Sequence, residues 1–212
     1  MDPDQLAELY EAHHAEGDKY GFLYAGPGRG ALLASWIGQG RDVLDVGCRD
    51  GTLTRCFADG NQVTGLDIDR RALDICRQTL GITTHWCDAS QGLPVADAAF
   101  DAVCAAEILE HIPYPNRLVA DVARVLRPGG VFVGSVPNAF RLKNRIRFLF
   151  GREFETDPTH LHWYSPEALR RLLSADFERI ELRYLASRWL WASPRLMAND
   201  ICFRAVKTRT AA

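Results

Sequence analysis

A doubly wound α/β domain is the fold class this sequence predicts, on three observations. Short apolar runs of strand length alternate with longer stretches that carry apolar residues at helical spacing. A glycine stops the first such run at a strand-to-helix turn. The length, 212 residues, suits one domain with a substantial core. Alternation of this kind implies a mostly parallel sheet with right-handed crossovers. A hydrophobic content of 47% with 25% charged residues is that of a soluble globular chain. A net charge of −2 excludes a global attraction to nucleic acid or to an anionic membrane, so any such contact needs a local patch.

Residues 1–38 read as N-terminal cap helices and a glycine-rich loop, with a weak helical pattern in Leu6, Leu9 and Tyr10, glycines over 21–30 and a short helix over 31–37. Residues 39–212 read as the domain proper. The first strand is Arg41 to Val46, closed by Gly47, and a helix is expected over 51–58. A second strand covers 62–67, a helix 70–80 with Leu73, Ile75, Cys76 and Leu80 available for a core face, and further strands 83–87 and 100–105. Leu118, Val119, Val122 and Val125 mark a helix over 116–126, which Pro128-Gly129-Gly130 breaks before a fifth strand at 131–136. A helix over 166–175 and strands near 178–186 and 199–207 complete the series, with Trp189 and Trp191 read as core or dimer surface. The six cysteines lack any CxxC pair and read as buried reduced thiols. No stretch has the apolar length of a membrane span, and the chain reads as cytoplasmic.

The strongest local signal is Asp45-Val46-Gly47-Cys48-Arg49-Asp50-Gly51. Glycines at such a turn let the backbone approach a ligand, and a helix start offers unpaired N–H groups. Asp67, at the end of the second strand, is placed to accept the hydroxyls of a ribose. These features also suit a dinucleotide-dependent oxidoreductase, but the third glycine of that fingerprint is missing. Asp45 would moreover repel a pyrophosphate, whereas a sulfonium and an α-amino group would tolerate it.

The run over 43–51 resembles the first motif of class I S-adenosylmethionine-dependent methyltransferases. So do Gly65-Leu66-Asp67-Ile68-Asp69, Cys87-Asp88-Ala89, Phe100-Asp101-Ala102-Val103 and Leu126-Arg127-Pro128-Gly129-Gly130, in the same order. The resemblance implies a Rossmann-like seven-stranded sheet, mostly parallel with the last strand antiparallel, and helices on both faces. It implies S-adenosyl-L-methionine as cofactor. Asp45, Gly47, Cys48 and Gly51 would lie near its methionine end, Asp67 and Ile68 near the ribose, and Asp88 and Ala89 near the adenine. Ala105 would wall the pocket, and Arg29 would pair with the cofactor carboxylate. Arg49 departs from the family by standing where the middle glycine is usual.

After the fourth strand comes Ala106-Glu107-Ile108-Leu109-Glu110-His111-Ile112-Pro113. Read as a helical turn, it places Glu107, Glu110 and His111 on one face, where two carboxylates and an imidazole call for a cation or proton between them. The spacing resembles ubiquinone-pathway O-methyltransferases and small-RNA 2′-O-methyltransferases, in which a divalent metal holds the acceptor hydroxyls. Here the metal set would be Glu107, Glu110, His111 and His160, with Mg, Mn or Fe as the ion. A metal-free site, with His111 or His160 as general base beside Glu107, stands as an alternative, and so does a purely structural turn.

The insertion over 138–163 alternates basic and bulky apolar residues and reads as a lid, a substrate dock, a weak membrane-surface contact, or simply a helix packed on the domain with its cations solvated. The function expected is O-methylation of a small-molecule or glycan-type acceptor by a monomer or homodimer, with no nucleic-acid partner. The alternative is a non-catalytic partner of the same fold, resembling the W-type proteins of methionine biosynthesis.

Overall fold

The computed structural model describes residues 5, 8–12, 20–21, 26–153, 157, 159–185 and 193–208. The expectations for Leu6, the loop residues 22–25, Trp189 and Trp191 fall outside them. Seven strands form one sheet: β1 (Asp42–Val46), β2 (Gln62–Asp67), β3 (Thr83–Trp86), β4 (Phe100–Ala106), β5 (Leu126–Pro137), β6 (Phe177–Leu185) and β7 (Asp200–Lys207). Their order is β3-β2-β1-β4-β5-β7-β6. Strands β1 to β5 pair in parallel, while β7 runs antiparallel to both β5 and β6.

The apolar strands are buried on both sides, as a sheet covered by helices on each face requires. Successive side chains of β1 point to opposite faces. Val43 packs with Leu33 and Ile37 of α1 (Gly26–Ile37) and Phe57 of α2 (Arg55–Ala58). Leu44 joins Leu118, Val119 and Val122 of α4 (Pro115–Val125) and Leu169 and Leu173 of α6 (Pro166–Leu173). Beside β2 and β3, α3 (Arg70–Leu80) is capped at its start by Asp69, whose carboxylate accepts from Ala72 N, and stops at Gly81 in the left-handed region. The short helices α5 (Leu142–Leu149) and α7 (Pro194–Met197) follow β5 and precede β7.

Four sequence expectations change. Helix α1 begins at Gly26 and takes in the second half of the glycine-rich stretch. The glycine at 30 is there for packing, because a Cβ would run into the Cys56 sulfur. Helix α2 is shorter than expected, residues 51–54 forming turns. Strand β5 starts at Leu126 and runs through Pro128-Gly129-Gly130. The register shifts where Phe100 and Ala102 of β4 face it, and Gly129 at φ +79° absorbs the irregularity. Of the six free cysteines, Cys56 is exposed and the other five are buried.

Candidate active site

The carboxyl ends of β1, β2 and β4 converge, which is where open α/β sheets hold their ligands. At the end of β1, Gly47 N and Cys48 N both donate to Leu66 O, at 2.7 and 3.1 Å, and hook the turn over β2. Gly47 at φ +79° needs to be glycine twice over, since a Cβ would also collide with the Ile108 side chain. Arg49 adopts the left-handed region at φ +48°, a strained conformation for its type. Its N–H donates to Asp67 Oδ2 at 2.7 Å, and its Nε lies 3.3 Å from Asp50 Oδ1. The departure from glycine is therefore accommodated by a side chain that pairs along the turn. The Cys48 side chain packs inward with Leu73 and Cys76, so only its backbone can face a ligand.

Asp67 is held at both oxygens by backbone donors, Arg49 N on Oδ2 and Asp69 N at 2.9 Å on Oδ1. Two fixed N–H donors orient the carboxylate and leave it lone pairs for a diol. The half-buried Ile68 follows, its carbonyl accepting from Trp86 Nε1 at 2.8 Å. Asp88 is fixed by Ser90 N at 2.9 Å, Ala89 packs on the core, and Ala105 is fully buried. Asp45 is buried, with the Thr54 hydroxyl donating to Oδ2 at 2.6 Å. Burial dominates over that bond and pushes its carboxyl up to about 6. An incoming cation would restore the charge.

Beyond β4 the structure departs from the helical turn expected. Glu107 sits at φ +57° and residues 109–111 form a turn closed by His111 N on Ile108 O at 2.9 Å. This separates Glu107 from the other two. Its Oε1 lies 3.1 Å from Arg29 Nη1 and accepts from Ser135 Oγ at 2.7 Å. Arg29 is buried, and its Nε has no hydrogen-bond partner among the described residues. It thus meets Glu107 and Ser135 rather than standing alone for a cofactor carboxylate. Asp200 is near enough to feel this group: burial first, then the Glu107 charge, lifts its carboxyl to about 7.

Glu110, His111 and His160 do come together, each offering one ligand atom within 4.8 Å of the others. Both carboxylate oxygens of Glu110 are buried without a hydrogen-bond partner among the described residues, and burial together with the Glu107 charge holds its carboxyl well above the usual range. The backbone of the insertion locks this turn, with Leu161 N and His162 N both donating to Glu110 O. The rings of His111 and His160 meet edge-on at 4.7 Å.

The tautomer of His111 follows from its partners. Nδ1 lies 3.2 Å from Thr159 O and 3.0 Å from Thr159 Oγ1, while the Thr159 hydroxyl gives its proton to Asp157 Oδ1 at 2.6 Å. Both neighbours therefore act as acceptors, so Nδ1 carries the hydrogen and the neutral ring keeps its lone pair on Nε2. Tyr10 also belongs here: its ring stands 6.1 Å from that of His111. Burial and the fields of Asp157, Asp67, Glu110 and Asp88 push its phenol up to about 12, so it is a neutral donor between the two halves of the site. Sequence reasoning missed Tyr10, Asp157 and Thr159, whose only signal was their nearness in the chain to a weak helix and to His160.

With this geometry in place, the strand order is that of the Rossmann-like methyltransferase fold. Residues 44–134 match the family described as "Methyltransferase domain". A probable S-adenosylmethionine-dependent methyltransferase of Mycolicibacterium smegmatis is 36% identical over 141 residues, 66% of this chain and 52% of that protein. A ubiquinone biosynthesis O-methyltransferase of Aromatoleum aromaticum is 32% identical over 152 residues, 66% of this chain and 65% of that protein. The chain thus spans between half and two thirds of the length of these relatives. A Thermotoga maritima crystal structure, described as a possible histamine N-methyltransferase, shares the fold with a TM-score of 0.75 at 16% identity, covering 95% of this chain and 99% of that one. Residues 44–134 thus match a methyltransferase domain, and the sheet around them has the fold of that structure.

Proposed function

We propose that the chain transfers the methyl group of S-adenosyl-L-methionine to a hydroxyl oxygen of a small-molecule acceptor. The observation that carries this reading is the cluster of Glu110 and His111 after β4 with His160 of the insertion, β4 lying beside β1, which carries Asp45. Asp67 would receive the ribose hydroxyls, and Asp45 would draw the cationic end of the cofactor toward β1. His111, held as its Nδ1–H tautomer, accepts the acceptor proton at Nε2 as the oxygen attacks the methyl carbon. The C–O bond forms as the C–S bond breaks, and the cofactor leaves as the neutral thioether S-adenosylhomocysteine. Alignment of oxygen and methyl supplies much of the rate, and removal of the proton completes the transfer. The O-methyltransferase relative supports oxygen as the acceptor atom. A non-catalytic role leaves this cluster without a purpose.

The same three residues fit a divalent cation, because a buried carboxylate with no hydrogen-bond partner among the described residues, within 4.8 Å of two imidazoles, is a donor set that lacks its positive charge. Glu110, His111 and His160 would hold it. When bound, the ion would acidify an acceptor hydroxyl. Glu107 stands outside this set, tied to Arg29. The test is transfer of a labelled methyl group to a panel of phenols and catechols, run after chelation and again with Mg²⁺, Mn²⁺ or Fe²⁺. O-methyl products support the proposal and the ion series assigns the cluster. N- or C-methyl products, or no binding of the cofactor by calorimetry, overturn it.

A further inference from the structure

Helix α5 is amphipathic the wrong way round. At about 100° per residue, Leu142, Ile146 and Leu149 form one stripe, Lys143 and Arg147 flank it on one side, and Arg145 flanks it on the other. A helix docked on a domain turns such a stripe inward. Here the buried residue is Asn144, opposite the stripe, which ties the helix down by donating to Ala139 O at 3.0 Å and accepting from Arg141 Nε at 3.3 Å. The stripe faces solvent: Ile146 is 46% and Leu149 80% exposed, and Phe150 just past the helix end is 73% exposed, as is Phe148 on the flank away from it. Packing thus leaves several large apolar side chains in water, more than isolated surface residues would explain.

The charges decide what covers them. Arg141, Lys143, Arg145, Arg147 and Arg152 lie in a stretch with no acidic residue between Asn138 and Arg152, on a chain whose net charge is −2. A second copy docking by this face would be related by a two-fold axis, and would set these cations against their own counterparts. A planar anionic surface with an apolar interior satisfies both features at once. We propose that α5 seats the protein on an anionic lipid surface, with Leu142, Ile146, Leu149 and Phe150 entering the acyl boundary and the flanking cations meeting phosphate headgroups. The contact is peripheral, since no helix among the described residues is long and apolar enough to cross a membrane.

The test is co-sedimentation of the full chain with vesicles of phosphatidylcholine alone and of phosphatidylcholine mixed with phosphatidylglycerol. Binding is expected to the mixed vesicles and to fall with added salt. Each of Lys143→Gln and Arg147→Gln should weaken it about fivefold. Ile146→Gln with Leu149→Gln should abolish it, while circular dichroism and cofactor binding stay unchanged. Equal binding to both vesicle types, or binding untouched by the paired apolar change, overturns the proposal. So does a dimer in analytical ultracentrifugation that the paired change dissociates, because the face would then belong to a second copy.

Discussion

Replacing Asp45 by asparagine should make the ligand-free protein more stable and a poorer binder of its cofactor. Asp45 is buried, and its carboxyl is raised from 3.8 to about 6 by loss of hydration. The folded chain therefore holds this proton more tightly than the unfolded one. Wild-type stability must fall as pH rises through the window between those two values, and the loss is complete above it. The gap between the folded and unfolded values corresponds to about 3 kcal/mol at neutral pH. An asparagine side chain at this position would keep an oxygen for the Thr54 hydroxyl and carry no charge, so it avoids that cost. The assay is urea unfolding of wild type and Asp45→Asn across this pH range. The variant should gain about 3 kcal/mol at pH 7, or roughly 6–12 °C in Tm, and the gain should vanish near the lower end of the window. Calorimetry supplies the other half: wild-type affinity for S-adenosylmethionine should drop about tenfold from about pH 7.5 to about pH 5, while the variant binds weakly at both. A variant no more stable than wild type at neutral pH, or a difference independent of pH, would refute the reasoning.

Three further outcomes follow from named contacts. Thr159→Val removes one of the two acceptors at His111 Nδ1 and leaves only the backbone carbonyl, so kcat should fall about 10-fold with cofactor affinity kept, while Thr159→Ser restores it. Steady-state kinetics on the three proteins checks this, and an unchanged kcat in the valine variant would count against a positioning role. Arg29→Met strands the Glu107 charge in a largely buried place and should cost about 3–5 kcal/mol in chemical unfolding. Adding Glu107→Gln should recover much of that loss, and equal destabilisation by both proteins would rule out the pairing. Gly65→Ala sets a Cβ 2.7 Å from the Cys48 sulfur and should cost about 1–3 kcal/mol, read in the same assay.

Much of the scaffold is legible because its strands are continuous apolar runs closed by glycine. Val43 to Val46 with Gly47 is such a run, broken only by Asp45. Helices α3 and α4 announce themselves by spacing, since Leu73 with Cys76 and Leu118 with Val122 each share a face. The misses are long-range. Gly26 to Gly30 looks like a loop because the reason for Gly30, the sulfur of Cys56, comes from a different helix. Local periodicity puts Glu107 with Glu110 and His111, but Arg29 of α1 and Ser135 of β5 claim it and its backbone turns left-handed. The partners of His111 are likewise hidden, because Thr159 and Asp157 reach it only through the fold of the insertion.

The place of β7 has a consequence for how the protein is made. Strand β5 is buried along most of its length, yet the neighbour that covers its far edge is β7. While the ribosome is still building the chain, β5 carries a bare row of N–H and C=O groups flanked by apolar side chains, and β6 emerges with nowhere to dock. Only when β7 arrives can it slot between them and close the sheet. Such an unfinished edge invites pairing with other nascent chains. The hydrogen bonds of Asp200 to Lys207 therefore serve biosynthesis as well as stability, ending the interval in which the protein is most exposed to aggregation.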